Sequence, residues 1–590
     1  MEQIKERDPI IEFTNFTFQY YTQSEPTLYD INLKIYPGEK VLILGPSGSG
    51  KSTLVHCLNG LIPFAYKGEI TGSLKIKGYE TRDLDIFRLS KFIGTVLQDT
   101  DAQFVGLTVG EDIAFALEND NVPVDEMRKR VEEAAKLVGM EKFLKSSPFE
   151  LSGGQKQRTT IAGVLVDNVD ILLFDEPLAN LDPATAKRAI EIIDELHKNL
   201  GKTVIIVEHR LEDVLHRPVD RVIVINEGRI VADMNPHDLV SSNILTSSGL
   251  REPLYVAALK YASVNVESKK TPGYIFTLKL DEEDKNKLKK WYKQGARNDD
   301  NDDNDKSPSN SHVPLLKIEN LNFSYERGRQ VLKNINLEVR KGEMISIVGK
   351  NGAGKSTFAK VLCGFVREDS GKMYFNGKDM SDMTIKERAQ VIGFVMQNPN
   401  QMITKTIIYD ELALGLRLRG VSEAEIEDKV KEVSKICGLY SFLKWPVSAL
   451  SYGQKKRVTI ASILTLDPEI LILDEPTAGQ DFSHYSEIID FLDTLNSLGV
   501  TIIMITHDMH LIMEYSDRTL VFADGEIIAD TQPSSVLTNM ELVQRANLKE
   551  TTLYTLAQIV GIDNETSFVQ HFIDYDRLVR RNNARKVNFV

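Results

Sequence analysis

Cysteine is scarce in this chain of 590 residues: only Cys57, Cys363 and Cys437 occur, and no two of them stand at the spacing of a metal-ligand pair. This scarcity excludes a disulfide scaffold, a zinc finger and a cysteine-ligated iron–sulfur cluster, and it favours a reducing compartment. Long apolar runs are missing as well. No stretch approaches the length that crosses a bilayer, and the first residues lack the apolar segment of a signal peptide. We therefore expect a cytosolic chain.

Basic residues are fewer than acidic ones, with 71 Lys and Arg against a total of 85 Asp and Glu, so the deficit of basic residues gives a net charge of −14. The deficit argues against a protein that coats nucleic acid through bulk electrostatics. The hydrophobic fraction of 42% and the charged fraction of 26% are ordinary for globular proteins and exclude wholesale disorder and collagen. The length exceeds what one hydrophobic core can organise, so several domains are expected.

An internal repeat is the most informative feature present. Three motifs occur twice, in the same order: a glycine-rich segment at 45–52 and 349–356, Leu-Ser-x-Gly-Gln at 151–155 and 450–454, and Asp-Glu-Pro at 175–177 and 474–476. The copies lie roughly 300 residues apart, a spacing far above that of solenoid repeats. The chain is therefore predicted to contain two related domains rather than an array of short units.

Short apolar runs separated by helical patterns indicate the fold class. The runs are continuous, as in strands buried on both faces of a parallel sheet. Helical patterns, for example at 185–200, separate them. We predict strands at 41–44, 171–174, 204–207, 345–348, 471–473 and 502–505. Strand–helix alternation of this kind predicts an α/β core in each half.

The duplicated glycine-rich segment matches the phosphate-binding loop (P-loop), Gly-x-x-x-x-Gly-Lys-Ser. Its glycines let backbone N–H groups surround phosphate oxygens, and the helix that follows adds its positive end. Lys51 and Lys355 are expected to reach the β and γ phosphates of ATP, and Ser52 and Ser356 to ligate Mg²⁺. The other nucleotide-binding positions are Gly45, Ser47, Gly48, Gly50 and Thr53 in the first half and Gly349, Asn351, Gly352, Gly354 and Thr357 in the second.

An Asp-Glu pair ends one predicted strand in each half, and a histidine ends another. The aspartate is expected to hold Mg²⁺ through water, the glutamate to polarise the attacking water, and the histidine to contact the γ-phosphate. Recurrence in both halves favours these functional roles over structural ones. The aspartates are Asp175 and Asp474, the glutamates Glu176 and Glu475, and the histidines His209 and His507.

On these motifs, both halves resemble the ATPase subunits of ABC transporters, over nearly all of residues 1–260 and 313–560. The resemblance implies two tandem P-loop ABC ATPase domains, each with a helical subdomain and a small C-terminal appendage. It also implies that the halves pair head to tail within the chain, so that the Leu-Ser-x-Gly-Gln signature of one half completes the ATP site of the other. Ser152, Gly154 and Gln155 would close on the nucleotide at Lys355, and Ser451, Gly453 and Gln454 on the nucleotide at Lys51.

The same resemblance gives roles to three further pairs of residues. The tyrosines would stack on adenine, the glutamines would ligate Mg²⁺ and couple the state of the γ-phosphate to a membrane partner, and the aspartates match the loop that links the two sites. The pairs are Tyr20 and Tyr325, Gln98 and Gln397, and Asp182 and Asp481.

One position departs from the family pattern. Tyr452 replaces the first glycine of the signature motif, where the first half has Gly153. A Cβ and a ring at a glycine position are expected to restrict the backbone and its close approach to a neighbour. Since Glu176 and Glu475 are both present, we expect two competent sites that differ in rate.

A second layer of resemblance points to energy-coupling-factor (ECF) importers. It rests on Gln-Asn-Pro-Asn-Gln at 397–401, echoed at 98–103, and on the sequences that begin at Leu250 and Leu548. It implies a peripheral subunit at the cytoplasmic face of the cell membrane, with an integral membrane coupling protein and a substrate-binding membrane protein as partners and no nucleic acid. The cargo would be a B vitamin such as thiamine or its precursor, or a transition-metal ion. A tandem ATPase of a sugar-type importer and a soluble twin-ATPase translation factor are the alternatives.

The repeat also sets the predicted domain boundaries. We predict ATPase domains at 1–240 and 313–540, each followed by an appendage, at 241–297 and 541–590. The acidic segment 298–312 cannot bury apolar surface and is predicted to be an extended linker. Its charge would repel phosphate, which argues against the translation factor. The basic residues of the tail at 577–586 are expected to form a solvated helix end rather than a lipid contact.

Overall fold

The computed structural model describes residues 8–179, 181–299, 313–326, 328–477 and 482–587. Its contacts divide the chain into two units, with the boundary between Lys285 and Asn286. None of the helices in the described part of the chain combines the length and the apolar character that a bilayer crossing requires. The two units are described in turn.

The first half of the chain alternates short strands and helices. Its strands are β1 (Ile11–Tyr20), β2 (Leu28–Ile35), β3 (Lys40–Leu44), β4 (Gly68–Ile76), β5 (Tyr79–Glu80), β6 (Ile93–Val96), β7 (Ile171–Asp175), β8 (Thr203–Val207), β9 (Arg221–Asn226) and β10 (Arg229–Met234). Its helices are α1 (Lys51–Leu58), α2 (Leu61–Phe64), α3 (Ile86–Ser90), α4 (Val109–Asn119), α5 (Val124–Leu137), α6 (Gly153–Leu165), α7 (Pro183–Leu200), α8 (Leu211–Val214), α9 (Pro236–Ser241), α10 (Ile244–Ser247), α11 (Leu254–Tyr261) and α12 (Glu282–Asp299).

Two sheets build the first unit. One has six strands in the order β6-β7-β8-β3-β9-β10, parallel except for β10 at its edge, and the other has four antiparallel strands in the order β2-β1-β4-β5. The core lies between the sheets, where Phe13 and Phe18 of β1 share one buried cluster with Ile43 of β3, Ile205 of β8 and Leu54 of α1. The carboxyl ends of β3, β6, β7 and β8 consequently meet at one edge, where open α/β sheets bind their ligands.

The second half repeats this arrangement. Its strands are β11 (Leu316–Glu326), β12 (Arg329–Val339), β13 (Met344–Gly349), β14 (Ser370–Phe375), β15 (Lys378–Asp379), β16 (Ile392–Val395), β17 (Ile470–Asp474), β18 (Thr501–Ile505), β19 (Arg518–Ala523) and β20 (Glu526–Thr531). Its helices are α13 (Lys355–Leu362), α14 (Ile385–Arg388), α15 (Ile408–Leu418), α16 (Glu423–Ile436), α17 (Tyr452–Leu464), α18 (Phe482–Ser497), α19 (Met509–Tyr515), α20 (Pro533–Thr538), α21 (Met540–Arg545), α22 (Thr552–Val560) and α23 (Glu565–Val587).

The strand orders of the second half, β16-β17-β18-β13-β19-β20 and β12-β11-β14-β15, are those of the first half position for position. The α/β class that the apolar runs predict is therefore confirmed in both halves. The antiparallel sheet escaped the prediction because its strands carry alternating, half-exposed residues, as the burial pattern of β1 illustrates. Such strands lack the continuous apolar run that marks the parallel ones.

Local sequence sets where α7 begins and ends. The Asp182 carboxylate accepts a hydrogen bond from the N–H of Thr185 at 2.9 Å, and Pro183 occupies the first helical position. Both are favoured at helix starts. Gly201, with φ of 63°, closes the other end. The helix thus starts two residues before the predicted segment 185–200.

Helices inserted between β6 and β7, and between β16 and β17, form a helical subdomain in each half. In the first half α4 packs on α5 and α6, and in the second α15 packs on α16 and α17. Capping boxes start α4, with Thr108 and Glu111, and α16, with Ser422 and Glu425. Each box satisfies helix N–H groups that have no partner within the helix.

Helix α12, which follows the sheets of the first half, overlaps the predicted linker 298–312. This helix reaches Asp299, so the first two residues of the predicted linker are helical, and residues 300–312 lie outside the described part of the chain. Within the second unit, Trp291 of α12 contacts the rings of Phe568, His571 and Tyr575 on α23. Helix α23 therefore packs against α12 through aromatic side chains.

Two arginines of the C-terminal tail are bound to protein rather than solvated. Arg577 donates to two backbone carbonyls at the end of α19, at 2.7 and 3.1 Å. Arg580 donates to Glu514 at 2.6 Å and to Asp576 at 2.7 Å, and the Glu514 side chain is only 4% exposed. The prediction of a solvated helix end is therefore wrong for both residues. They fasten α23 to α19, because buried carboxylates and helix-end carbonyls require donors.

Replacing Arg580 by alanine is expected to lower the free energy of unfolding by about 2–3 kcal/mol, because it removes a cation that pairs with both Glu514 and Asp576. Urea denaturation of the full-length protein, followed by circular dichroism, measures the loss. The matched control is Arg545→Ala, which removes an exposed pair with Glu541 at 3.9 Å and is expected to cost no more than about 0.5 kcal/mol. Equal losses in the two variants would contradict the role of Arg580.

Candidate active sites

Each P-loop depends on a close approach between a glycine and the neighbouring strand. A Cβ on Gly45 would lie 2.3 Å from the carbonyl oxygen of Ile225 and 2.5 Å from Oγ of Ser49. A Cβ on Gly349, whose φ is 141°, would lie 2.0 Å from the carbonyl oxygen of Phe522. Neither position accepts a side chain without moving backbone, so glycine is required by space in one half and by space and conformation in the other.

The P-loop lysines are nearly buried and face their own loops. Nζ of Lys51 donates to the carbonyl of Gly45 at 2.7 Å and to the next carbonyl at 2.8 Å. Nζ of Lys355 donates to the carbonyl of Gly349 at 2.6 Å and to the next carbonyl at 2.9 Å. Both ammonium groups therefore lie inside the loop whose backbone N–H groups would surround phosphate, where a lysine adds a positive charge.

The remaining P-loop residues follow the same plan in both halves. Gly50 and Gly354 precede α1 and α13 with left-handed φ angles of 102° and 104°. The helices then begin at the lysines, so their first N–H groups point toward the loop and favour an anion. The predicted nucleotide contacts that lie in the loops or at these helix starts are Ser47, Gly48, Ser52, Thr53, Asn351, Gly352, Ser356 and Thr357.

The predicted adenine-stacking tyrosines stand beside the P-loop helices. The hydroxyl of Tyr20 lies 3.1 Å from Oγ1 of Thr53, and the hydroxyl of Tyr325 lies 3.3 Å from Oγ1 of Thr357. The Tyr325 side chain is exposed, with 55% of its surface accessible. Burial raises the pKa of Tyr20. The geometry leaves a ring next to each P-loop helix, which is where a base bound through its phosphates needs one.

The acidic strand ends share an unusual backbone. Asp175 and Asp474 close β7 and β17, and the glutamates that follow them have left-handed φ angles, 47° at Glu176 and 46° at Glu475. A non-glycine residue in this region costs of order 1–3 kcal/mol and persists where the surroundings demand it. The same strained conformation occurs at the corresponding glutamate of both halves.

The donors expected for Mg²⁺ are hydroxyl and carboxylate oxygens. Burial, with the nearby charges of Glu176 and Glu208, raises the pKa of Asp175 to about 6. Burial also raises the pKa of Asp474, which the hydrogen bond from Ser356 opposes. Hydroxyl and carboxylate oxygens suit this ion, which usually completes its shell with water and substrate phosphate. The described residues accordingly contain no cluster of three acidic, histidine or cysteine ligands that would hold a metal unaided.

Glu176 is held by two predicted site residues. Nε2 of Gln98, just beyond β6, donates to its Oε2 at 2.7 Å, and Nδ1 of His209, just beyond β8, lies 3.9 Å from its Oε1. Burial acts to raise the pKa of Glu176, but His209 and the charge of Lys51 outweigh it, and the pKa lies below its ordinary value. Three strand ends thus supply a glutamine, a glutamate and a histidine within one group.

Glu475 has a different environment. The backbone N–H of His507 donates to its Oε2 at 3.4 Å, and Nε2 of the His507 ring lies 3.4 Å from its Oε1. In the described part of the chain Oε1 accepts no hydrogen bond. Burial raises the pKa of Glu475 well above its usual range, although the charge of Lys355 opposes the shift. The two halves therefore share a backbone but hold their glutamates differently.

The signature residues begin α6 and α17. Ser152 and Gln155 form a reciprocal cap, with N–O distances of 2.8 and 3.4 Å, and Ser451 and Gln454 form the same cap at 3.0 and 3.3 Å. The glutamine side chains are thus engaged in holding the helix ends rather than extended toward solvent. The glycines Gly154 and Gly453 lie in the first turns of these helices.

The position of Tyr452 in the signature motif has room for a side chain. A Cβ on Gly153 of α6 would meet only Cδ2 of Leu181, at an ordinary 3.5 Å, and this glycine has no left-handed φ. A side chain therefore fits the backbone at this position, so the expected restriction of the backbone is wrong, while the effect on close approach to a neighbour stays a prediction. The Tyr452 ring is 40% exposed, and its hydroxyl donates to the carbonyl oxygen of Gln397 at 3.2 Å.

Two buried charged residues near the sites are not among the residues that the sequence motifs predict. Glu208, directly after β8, is buried, accepts the N–H of Leu178 at 2.9 Å and has a raised pKa because of burial. Lys456 of α17 is 1% exposed, and burial lowers its pKa to about 8. Aligning the halves would have found both, since the corresponding residues are Thr506 and Gln157.

The structure therefore brings together, in each half, the P-loop lysine, the Asp-Glu pair and the histidine that the motifs predict. In the first half the Gln98 side chain joins this group, and in the second half the backbone of Gln397 is bound to α17. Asp182 caps α7. Asp481 lies outside the described residues.

Replacing Gly45 by alanine is expected to weaken ATP binding at the first P-loop by roughly tenfold or more, because the new Cβ displaces the backbone against Ile225. A fluorescent ATP analogue, titrated in a Lys355→Ala background, isolates this loop. The control is Gly153→Ala, which introduces the same methyl group where it fits and is expected to change the free energy of unfolding by no more than about 0.5 kcal/mol. Unchanged binding in Gly45→Ala would contradict the crowding of this loop.

Comparisons with known proteins agree with this geometry. A family model described as ABC transporter matches residues 28–179 and 332–478, and a second, described as ATP-binding cassette cobalt transporter, matches residues 242–323. An ABC transporter ATP-binding protein of Clostridium perfringens is 56% identical over 98% of this chain and 100% of its own length. One of Enterococcus faecalis is 53% identical over 97% of this chain and 100% of its own length.

A solved structure described as cbiO1 from Clostridium perfringens, part of the ABC transporter complex cbiONQ, is 34% identical, with a TM-score of 0.38, over 42% of this chain and 98% of that one. The family resemblance that the repeated motifs predict is confirmed by the two family matches and the full-length relatives. The chain belongs to the ATP-binding proteins of ABC transporters and carries two ABC ATPase domains in tandem.

Proposed function

We propose that this protein is the ATP-hydrolysing, energy-coupling subunit of an ECF-type importer for a small micronutrient. One observation carries the proposal: each half assembles a P-loop lysine, an Asp-Glu strand end and a histidine at the carboxyl edge of one parallel sheet. This is the set of groups that phosphoryl transfer from ATP to water requires, since the reaction depends mainly on positioning and electrostatics.

The chemistry divides among the residues of the first half as follows. Lys51 supplies positive charge to the β and γ phosphates, and the N–H groups of the loop surround their oxygens. Glu176 accepts a proton from the water that attacks the γ-phosphate, and its low pKa keeps it ionised for that role. His209 lies beside the glutamate, placed to contact the γ-phosphate. Mg²⁺, held by Ser52, Gln98 and Asp175, would neutralise developing charge on the phosphates.

We further propose that the two halves pair head to tail and share their ATP sites. Support comes from the starts of α6 and α17, where Ser152 and Ser451 are exposed at the positive ends of their helices. Such helix ends favour phosphate. In this pairing Ser152 and Gly154 would complete the site of Lys355, and Ser451 and Gly453 the site of Lys51.

The transport assignment rests on the segment that follows the first ATPase domain. The match of residues 242–323 to the cobalt transporter model supports an ECF-type system. The partners would then be an integral membrane coupling protein and a substrate-binding membrane protein, with this chain peripheral at the cytoplasmic face of the membrane. The cargo would be a transition-metal ion or a B vitamin such as thiamine or its precursor.

Replacing each glutamate by glutamine tests whether the sites are unequal. We expect Glu176→Gln to lower the ATPase rate more than Glu475→Gln, because Gln98 already orients Glu176 whereas Oε1 of Glu475 lacks a donor among the described residues. Removing a general base typically costs on the order of 100-fold at its site. The steady-state ATPase rate of each variant is measured, together with its affinity for ATP, so that the rates are compared between variants that bind the nucleotide equally well. Equal losses would remove the proposed asymmetry.

Affinity purification from detergent-solubilised membranes tests the transport role. We expect membrane proteins to co-purify with the wild-type chain and equally with the double variant Lys51→Ala/Lys355→Ala. Only the wild type should support uptake in cells, because the variant lacks the phosphate-binding charge in both loops. The double variant is the matched control, since it separates assembly from ATP-driven work.

The purified complex also distinguishes the two classes of cargo. Elemental analysis of bound metals and mass spectrometry of bound vitamins would each report one class. ATP-dependent co-sedimentation with ribosomes, in the absence of membrane partners, would overturn the proposal in favour of a translation factor.

A further inference from the structure

The glutamine loops that follow β6 and β16 are braced in different ways. In the first half the loop braces itself: Oε1 of Gln103 accepts the N–H of Leu97 at 3.2 Å, and its Nε2 donates to the carbonyl of Thr95 at 3.0 Å. One side chain thus ties both sides of the loop that carries Gln98.

The second half lacks this amide. Met402 stands where the first half has Gln103. Its sulfur accepts the N–H of Met396 at 3.1 Å, but a thioether is a weak acceptor and donates nothing. The donation that Gln103 makes to the carbonyl of Thr95 therefore has no counterpart at Met402, and the loop keeps only the weaker contact to sulfur.

The signature helix α17 braces the loop instead, through two other carbonyls. Nζ of Lys456 donates to the carbonyl of Met396 at 2.9 Å and to that of Gln397 at 2.7 Å, and the hydroxyl of Tyr452 donates to the same Gln397 carbonyl at 3.2 Å. The two side chains are one helical turn apart on α17 and converge on one peptide. The Lys456 side chain is 1% exposed, so its ammonium is enclosed by protein.

The corresponding residues of the first half make different contacts. Gly153 has no side chain, and Nε2 of Gln157 donates at 2.6 Å to the carbonyl of Pro177, beyond β7. The chain thus exchanges three residues together between its halves: a glutamine, a glycine and a glutamine in the first half for Met402, Tyr452 and Lys456 in the second. Loss of the internal brace coincides with gain of the brace from the helix.

We infer that Lys456 and Tyr452 are positioning residues that join the glutamine loop of the second half to its signature helix, so that Gln397 and Ser451 move as one body. The inference deepens the proposed function, on which it rests for its kinetic consequence. In the first half the loop is braced from within by Gln103, and Lys156 of α6 contacts it at the Asp101 side chain. Displacement of α17 would then shift the Gln397 peptide directly, whereas α6 is joined to the loop of Gln98 through Lys156 and Asp101, a side-chain pair at 2.7 Å that lies three residues beyond Gln98.

Hydrogen–deuterium exchange on the full-length protein tests the brace itself. Lys456→Gln installs the first-half residue, removes a charge-assisted donor from two carbonyls, and should speed exchange in the peptide spanning 396–402 by roughly tenfold. Tyr452→Phe removes only the hydroxyl and should have a smaller effect on the same peptide. The matched control is Lys455→Gln, the same chemical change on the neighbouring residue, which should leave that peptide unchanged.

A rescue variant separates the brace from general stability. Lys456→Gln/Met402→Gln carries the first-half residues at both positions and should restore protection to the loop through the amide of residue 402. A merely structural loss at Lys456 would not be repaired by a substitution in the loop. Should Lys456→Gln fail to fold, Tyr452→Phe and Met402→Gln still test the brace, since neither empties a core position.

Kinetics test the consequence for hydrolysis. Lys456→Gln is expected to lower kcat several-fold with an unchanged KM for ATP, because Gln397 is misplaced while the P-loop is intact. Unchanged exchange at 396–402 in a folded Lys456→Gln protein, or an equal increase in Lys455→Gln, would overturn the inference. A protein that hydrolyses no ATP would refute the proposed function but not the brace, since the exchange experiment requires no turnover.

Discussion

The close approach of the first P-loop glycine to the neighbouring strand is the constraint on which both sites depend. Gly45 and Gly349 lie against the carbonyls of Ile225 and Phe522, at distances that leave no room for a Cβ. Parallel pairing of β3 with β9, and of β13 with β19, brings these backbones together. Because the loop is thereby pinned to the carboxyl edge of the sheet, every group that ends a parallel strand arrives beside it.

The strain at the Asp-Glu strand ends follows from that arrangement. Glu176 and Glu475 leave their strands in the left-handed region, at φ of 47° and 46°, where a glutamate is costly. In both halves the backbone N–H of this residue donates to the end of the adjacent strand, at Val207 and at Ile505, each at 2.9 Å. The hydrogen bond to the adjacent strand therefore fixes the backbone of the glutamate. The fixed backbone sets the direction of the glutamate side chain.

Much of this could be predicted from the sequence because the motifs are backbone devices. Glycine spacing, an apolar run before Asp-Glu and a capping serine before Gly-Gln each report local geometry, and the structure shows that geometry in both halves. The antiparallel sheets and the roles of Arg577 and Arg580 could not be predicted, because they depend on partners far away in the chain. The contact that Tyr452 makes could not be predicted for the same reason, since the carbonyl that its hydroxyl binds lies 55 residues earlier.

Duplication preserved the backbone and allowed the side chains around it to diverge in groups. The strand orders agree throughout, yet the glutamine loop is braced by Gln103 in one half and by Lys456 and Tyr452 in the other. A fused chain permits this divergence, because the two copies of each residue are encoded separately and each can specialise for its own half. Two identical subunits would instead carry the same brace in each copy. Asymmetry between the halves is therefore a property that fusion makes available, and it is concentrated beside Gln98 and Gln397, the residues through which the resemblance to ABC ATPases implies coupling to the membrane partner.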